Sequence, residues 1–336
     1  MKLAAVGAGY WGVNLIRVFH RLGVLGRICD FNVPRLQQLA AEYPDVPVEP
    51  SYDAILNDSS IDAVVIATPA ETHYDLARRA LRAGKDVFVE KPLVLRADEA
   101  EELTALSARM GRILMVGHLL EYHPAIARLQ QLITEGEMGR IEYIYSNRLN
   151  LGKVRREENA LWSFAPHDIS VILLLLKELP IQVTATGGTY LQPNIADVTV
   201  STMLFSHGTR AHLFVSWLHP YKEQKLVVVG EKRMAVFDDV RKTEKLQLYD
   251  KRIDLVNGQF VVERPTAQAV DFPADEPLMV ECRHFIECVE TRRTPKSDGV
   301  DAWRVLKVLE ASQRSLSMNG EPVQLETLRS MEVVRA

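Results

Sequence analysis

The chain has 336 residues, of which 47% are hydrophobic and 25% are charged. This length is typical of two domains that each bury a core. The formal net charge of −4 excludes a general attraction to nucleic acid or anionic lipid. No apolar run approaches the roughly 20 residues of a membrane span, and no signal core opens the sequence, so a cytoplasmic protein without a membrane partner is expected.

Cysteine is scarce, with only Cys29, Cys282 and Cys288 in the chain. None of them forms a C-x-x-C motif, and an odd count does not suit a disulfide framework. The pattern fits a reducing compartment and predicts buried, unpaired thiols.

Residues 1–120 alternate between short apolar runs and amphipathic stretches. Strands are predicted at Leu3–Val6, Arg27–Asp30, Ala63–Thr68, Asp86–Glu90 and Ile113–Gly117, with a weaker one at Val46–Val48. Helices are predicted at Val13–Leu22, Leu36–Tyr43, Thr72–Ala83 and Ala97–Met110. Strand–helix alternation of this kind predicts an α/β fold with a parallel sheet and helices on both faces.

The pattern changes near residue 120, which predicts domains at 1–120 and 121–336. Long alternating strands joined by short turns predict an antiparallel sheet, at Ile141–Asn150, Ile181–Tyr190, Val198–Phe205, Arg210–Trp217, Lys225–Val229 and Arg233–Asp238. Accompanying helices are predicted at Ala125–Glu135, Pro166–Lys177, Leu278–Arg292 and Ala302–Asn319.

A glycine-rich turn lies between the first predicted strand and the first predicted helix. Its residues Gly7, Gly9 and Gly12 form G-x-G-x-x-G, with Tyr10 and Trp11 inside the turn. Gly7 allows the tight turn, Gly9 lets the backbone approach a pyrophosphate, and Gly12 lets helix and strand pack closely. The turn therefore predicts a dinucleotide site, with phosphate at the helix N-terminus.

Asp30 ends the next strand, eighteen residues after Gly12. That is the place of an acid that accepts both ribose hydroxyls of the cofactor. Phe31 and Asn32 follow, with no adjacent arginine for a 2′-phosphate, so NAD is favoured over NADP.

Two further strands end in residues suited to the same sheet edge. Thr68 and Pro69 follow one strand and are expected to line the cofactor cleft. His73 either joins them there or simply begins the next helix. Glu90 and Lys91 end the other strand, and Lys91 beside a cationic nicotinamide would have a lowered pKa and could move a proton. A solvated surface pair is the alternative for these two residues.

His167 follows Pro166 and precedes Asp168 at the predicted start of an apolar helix. An acid suits the first turn of a helix, and a histidine in that place can serve as a general base. No His, Asp or Glu set has metal-ligand spacing, so no metal is expected.

Together these residues resemble the family of glucose–fructose oxidoreductase and inositol dehydrogenase. The glycine turn, Thr68-Pro69, Glu90-Lys91-Pro92 and His167 occur in that family's order, and Glu-Lys-Pro is its most specific mark. The resemblance implies a Rossmann domain and a second α/β domain with a large, mostly antiparallel, open-faced sheet. It also implies tightly bound NAD(H) or NADP(H), hydride exchange with a sugar or cyclitol, and Lys91 with His167 as the catalytic pair. A sheet with helices packed on one side leaves an apolar face, so a homodimer or homotetramer is expected.

The segment 147–168 is similar to a branch that oxidises C3 of UDP-activated amino sugars such as UDP-N-acetylglucosamine. Members act before a PLP-dependent aminotransferase in lipid A or surface-glycan synthesis. That likeness implies substrate contacts from the polar, cationic and aromatic residues Arg148, Asn150, Lys153, Arg156, Asn159, Trp162 and His167. A charged loop facing water, and a core tryptophan, are the alternatives. Two positions depart from the family, Ser163 where many members have Asp and Glu121 where many have Arg.

Other functions fit the same framework. A UDP-N-acetylglucosaminuronate 3-dehydrogenase, a dTDP-sugar 3-ketoreductase or an inositol dehydrogenase would use similar residues. A non-catalytic dinucleotide-binding regulator is an alternative of another class, because fold does not fix function.

Overall fold

The computed structural model describes residues 1–325. In residues 1–122 the strands are β1 (Leu3–Val6), β2 (Leu25–Cys29), β3 (Val48–Glu49), β4 (Ala63–Ile66), β5 (Asp86–Glu90) and β6 (Leu114–Gly117). The helices there are α1 (Gly12–Arg21), α2 (Val33–Glu42), α3 (Tyr52–Asn57), α4 (His73–Arg82) and α5 (Ala97–Met110). Helix α3, which Ser51 caps, was not predicted from the sequence.

The remaining helices are α6 (Pro124–Thr134), α7 (Ala160–Leu176), α8 (Pro277–Thr291) and α9 (Gly299–Ser317). The remaining strands are β7 (Ile141–Leu151), β8 (Gln182–Gly188), β9 (Val198–Leu204), β10 (Arg210–Ser216), β11 (Leu218–Gly230), β12 (Arg233–Asp238), β13 (Leu246–Asp250), β14 (Arg252–Val256), β15 (Gln259–Glu263), β16 (Gln268–Ala269) and β17 (Val323–Gln324). Within residues 1–325 no helix combines the length and apolar character needed to cross a membrane.

The chain forms two compact units. Within the described residues, unit 1 contains 1–122 and 275–306, and unit 2 contains 123–274 and 307–325. The structure differs here from a simple division near residue 120, because α8 and the first part of α9 return to unit 1.

Unit 1 holds a parallel sheet in the order β3-β2-β1-β4-β5-β6. The predicted doubly wound α/β domain is therefore confirmed. Strands β1, β4, β5 and β6 are almost fully buried, which explains their largely apolar sequence. Helix α8 completes the core, since Phe285 packs against Phe19 and Phe88. The three cysteines are buried and free, as predicted.

Unit 2 holds a mixed sheet in the order β16-β13-β12-β11-β7-β10-β9-β8-β17. Most pairs are antiparallel, as predicted, but the central strands β7 and β10 are parallel. Strands β13 to β16 had no counterpart in the sequence prediction. A parallel neighbour requires a long crossover, which the chain between β7 and β10 provides.

Helix α7 begins six residues before its predicted start at Pro166. Asn159 caps it, because its side-chain oxygen accepts a hydrogen bond from the Trp162 N–H at 3.1 Å. Pro166 therefore lies inside the helix rather than opening it. The cap contributes about 1 kcal/mol, and proline within a helix removes one backbone hydrogen bond.

Candidate active site

The glycine turn has the geometry that its sequence predicts. Gly7 has a φ of +93°, and a Cβ there would lie 2.7 Å from the Ala67 carbonyl oxygen. A Cβ on Gly12 would lie 2.1 Å from the Gly7 carbonyl oxygen, so α1 can pack on the turn only with glycine there. Gly9 is different, because its Cβ would meet open space. Gly9 thus leaves room for a ligand to approach the backbone.

A cavity of about 1060 Å³ opens beside this turn in unit 1. Six predicted cofactor-binding residues line it, namely Gly7, Gly9, Tyr10, Asp30, Thr68 and Pro69. Backbone N–H groups fix both Asp30 carboxylate oxygens, with Ala8 donating at 2.7 Å and Asn32 at 2.8 Å. The open space over Gly9 and the fixed acid at the end of β2 fit the pyrophosphate and ribose of a dinucleotide.

Arg35 also lines this cavity, and the sequence analysis missed it. Its Nε donates to the Ala8 carbonyl oxygen at 3.2 Å, next to the N–H that holds Asp30. No arginine directly follows Asp30 in sequence, but the fold brings Arg35 to the same cavity. Asn32 caps α2 and starts a helix that turns Arg35 back towards the cavity. The Asn-x-Pro cap is the sequence signal that would have indicated this.

The Glu90-Lys91 motif is joined to the glycine turn. The Trp11 indole Nε1 donates to Glu90 Oε1. Glu90 pairs in register with Gly117, whose Cβ would lie 3.0 Å from Glu90 Oε2, so glycine makes room for the carboxylate. Burial raises the pKa of Glu90 to about 7, against the opposing effects of Trp11 and Lys91. Trp11, Gly12, Glu90 and Lys91 lie outside the cavity lining, so their contacts with a cofactor stay predictions.

His73 does not line the cavity either, because its side chain is buried at the start of α4. Its Nδ1 lies 2.8 Å from the Pro92 carbonyl oxygen, and its Nε2 lies 2.9 Å from that of Thr68. The ring therefore bridges the loops after β4 and β5. Burial lowers the pKa of His73. It positions the loop that carries Lys91, and a direct cofactor contact remains a prediction.

His167 lies in the interior of α7 and is half-buried. Its neighbour Asp168 does not serve a helix N-terminus, as the sequence suggested. Instead its Oδ2 accepts from Arg148 Nε at 2.5 Å, and its Oδ1 accepts from Ser146 Oγ at 2.6 Å. Because α7 starts at Ala160, Asp168 lies beyond the first turn of the helix.

The other predicted substrate residues of unit 2 have different surroundings. Arg148 is buried in its ion pair with Asp168, and Asn159 is engaged as the α7 cap, where its Nδ2 also donates to Gln313. Lys153 and Arg156 are exposed, and Trp162 is half-buried. Of the residues with described positions, none hydrogen-bonds to the buried Oδ1 of Asn150. Arg148 and Asn159 thus have structural partners, whereas Lys153 and Arg156 face solvent.

Comparison with known proteins decides the family. Residues 1–118 match the model for an oxidoreductase family with an NAD-binding Rossmann fold, and residues 126–236 match the GFO/IDH/MocA C-terminal domain. An oxidoreductase structure from Magnetospirillum magnetotacticum MS-1 is 30% identical, with a TM-score of 0.80, and covers 93% of this chain and 99% of its own. The chain belongs to the Gfo/Idh/MocA oxidoreductase family.

Two relatives of known activity narrow the comparison. The UDP-N-acetylglucosamine 3-dehydrogenase of Acidithiobacillus ferrooxidans is 29% identical over 91% of this chain and 94% of its own. The solved structure of that enzyme superposes on this chain with a TM-score of 0.85. The match covers 95% of this chain and 98% of the solved chain. The scyllo-inositol 2-dehydrogenase (NAD⁺) of Bacillus subtilis strain 168 is 27% identical over 82% of this chain and 81% of its own. This Gfo/Idh/MocA member is an NAD-dependent oxidoreductase, and its cavity fits that cofactor.

Proposed function

We propose that the chain oxidises the C3 hydroxyl of a UDP-activated amino sugar, UDP-N-acetylglucosamine, to the 3-keto sugar. The Trp11–Glu90 hydrogen bond carries this proposal, because it joins the dinucleotide-binding turn to the strand end that bears Lys91. The similarity to the Acidithiobacillus ferrooxidans enzyme over most of both chains supports the choice of substrate.

Lys91 and His167 supply the proton chemistry in this proposal. Bound NAD⁺ would supply the acceptor for the hydride from C3. Lys91 hydrogen-bonds the hydroxyl oxygen and stabilises the negative charge that develops there. His167 accepts the hydroxyl proton, a general-base contribution of typically about 10²–10⁴-fold. Glu90 and the buried His73 hold the Lys91 loop, while the Arg148–Asp168 pair holds the helix that bears His167.

A second candidate is the 3-dehydrogenase of UDP-N-acetylglucosaminuronate. The exposed cations Lys153 and Arg156 favour it, since a uronate adds a carboxylate that arginine can bind with two hydrogen bonds. Either product is a ketone that a PLP-dependent aminotransferase can convert to a 3-amino sugar for a surface glycan such as lipid A. We also propose that the enzyme acts in the cytoplasm as a homodimer or homotetramer.

A coupled assay tests these alternatives. The purified chain is mixed with NAD⁺ and, in turn, the two UDP-sugars, a dTDP-sugar and myo-inositol, and NADH absorbance is recorded. A PLP-dependent aminotransferase with its amino donor removes the ketone, so that an unfavourable equilibrium does not hide turnover. NADH formed fastest with UDP-N-acetylglucosamine supports the proposal. A faster reaction with the uronate or with inositol would identify that sugar as the substrate instead. If no sugar yields NADH, the result favours a dinucleotide-binding regulator.

A further inference from the structure

Unit 1 contains a buried group of potential metal ligands, His118, Glu121 and Asp301. His118 Nδ1 lies 2.7 Å from Asp301 Oδ2 and 3.4 Å from Glu121 Oε1. One donor atom from each residue lies within 4.8 Å of the others. The side chains of His118 and Glu121 are 2% and 0% exposed. The sequence analysis did not find this group, because 180 residues separate Glu121 from Asp301.

The fold holds these residues firmly. His118 follows β6, Glu121 lies in the 3₁₀ turn Leu119–Tyr122, and Asp301 lies in the first turn of α9. The segment before α9 is bonded to β6, because Val116 N–H donates to the Ser297 carbonyl oxygen at 2.9 Å and Ser297 Oγ donates to the Val116 carbonyl oxygen at 2.6 Å. The donor set is therefore preorganised.

The Glu121 carboxylate is fully buried. In residues 1–325 no group donates to either of its oxygens, and the same holds for the neighbouring buried acid Glu281. Lys296 is close, but its Nζ donates to the Glu121 backbone oxygen at 2.7 Å. A buried carboxylate that accepts no hydrogen bond is costly even with the His118 ring 3.4 Å away, and a bound cation would offset that cost.

We propose that His118 Nδ1, Glu121 and Asp301 Oδ2 bind a divalent transition-metal ion of the zinc class, which ties the end of β6 to α9. Zinc takes imidazole and carboxylate ligands at about 2.0–2.2 Å, so two donors on one tetrahedral ion lie about 3.4 Å apart. The two His118 separations of 2.7 Å and 3.4 Å are close to that value, and all three donor atoms lie within 4.8 Å of one another. The imidazole ligand favours zinc over magnesium or calcium, which prefer oxygen donors.

Titration of the chelator-treated full chain with Zn²⁺ tests this site. Wild-type protein should bind one ion per chain and melt at a higher temperature with the ion present. Glu121→Gln and Asp301→Asn keep the side-chain size but remove a ligand charge, and each should weaken zinc binding at least about tenfold, or 1.4 kcal/mol. Glu281→Gln is the matched control, because it removes a buried acid outside the ligand set and should leave zinc affinity unchanged.

A Co²⁺ spectrum of wild-type protein decides the matter even if the variants do not fold. Nitrogen and oxygen ligation should give visible bands without thiolate charge transfer, and Zn²⁺ should abolish them. A thiolate band would overturn the proposal and place the metal at Cys288 and His284, whose Sγ and Nε2 are 3.4 Å apart. Absence of Co²⁺ and Zn²⁺ binding, or binding unaffected in both folded ligand variants, would also overturn it.

Discussion

The Arg148 guanidinium and the Asp168 carboxylate form a buried ion pair, with 2.5 Å between Nε and Oδ2. Arg148 belongs to β7, and Asp168 follows His167 in α7. The pair therefore fixes the helix of the proposed base against the central sheet of unit 2. Arg148, which the sequence analysis assigned to substrate binding, therefore has Asp168 as a partner within the protein.

Asp168→Asn should lower the free energy of unfolding by about 3–5 kcal/mol, because it leaves the Arg148 charge buried without a carboxylate. Chemical denaturation measures this change. Asp250→Asn breaks the more exposed pair with Arg233 and should cost less than about 1 kcal/mol. Equal losses in the two variants would show that burial does not set the strength of the Arg148 pair.

Lys91→Ala and His167→Ala should each lower turnover at least about tenfold and leave NAD⁺ affinity nearly unchanged. The reason is that the proposed chemistry of each residue is on the substrate hydroxyl, whereas the cavity beside the glycine turn would supply most of the cofactor contacts. Steady-state kinetics and NAD⁺ titration separate the two effects. Lys91→Arg is a useful control, since it keeps the positive charge that is proposed to stabilise the hydroxyl oxygen and should retain more turnover than Lys91→Ala. Near-wild-type turnover in an alanine variant would remove that residue from its role.

Gly9→Ala should affect NAD⁺ binding, whereas Gly12→Ala should affect stability. The Gly9 Cβ would enter open space, so the variant should fold normally but bind NAD⁺ more weakly. The Gly12 Cβ would clash with the Gly7 backbone, so that variant should lose about 1–3 kcal/mol of stability. Thermal melts with and without NAD⁺ distinguish them. If Gly9→Ala destabilised the protein without ligand, the claim that the space beside Gly9 is open for NAD⁺ would be contradicted.

Asp30→Ala should weaken NAD⁺ binding at least about tenfold, because the ribose hydroxyls lose their acceptor. It should also raise the affinity for NADP⁺ relative to NAD⁺, since Arg35 remains beside the cavity. The double variant Asp30→Ala/Arg35→Ala should lose that gain. An unchanged NADP⁺ preference in the double variant would show that Arg35 does not reach the 2′-phosphate.

Glu90 should make stability depend on pH. Burial raises its pKa in the folded chain to about 7 from the ordinary 4.5, so the folded state retains a proton that the unfolded state has lost. Its contribution to the free energy of unfolding is present below pH 4.5 and is lost as pH rises through about 7. Between about pH 5 and pH 8, Glu90→Gln should lose less thermal stability than wild type. Identical pH slopes would contradict the raised pKa.

Local patterns predicted most of unit 1. The bounds of β1, β5 and α5 agree with the sequence prediction, because apolar strands and amphipathic helices can be recognised from the pattern of neighbouring residues. Long-range pairing was harder to predict. The parallel β7–β10 contact and the return of α8 and α9 to unit 1 depend on residues far apart in sequence.

The same distinction applies to the candidate site. The glycine turn, Asp30 and Thr68 were found from position alone, and they line one cavity. Asn159 and Arg148 were assigned to the substrate because segment 147–168 resembles a sugar-oxidising branch, and the sequence carries no sign of the partners of these two residues within the chain. The roles of Asn159 as a helix cap and of Arg148 in an ion pair became visible only with the helix start and the burial of Asp168.

The packing of Phe285 against Phe19 and Phe88 has a consequence for how the protein is made. When only the first 122 residues have emerged from the ribosome, all strands of the parallel sheet are present but helix α8, which packs against this core, is not. The nascent N-terminal segment would lack the Phe285 contacts of Phe19 and Phe88 until residues 277–291 emerge. Synthesis of most of unit 2, residues 123–274, thus comes between the two parts of unit 1, and the early segment must avoid aggregation during that interval.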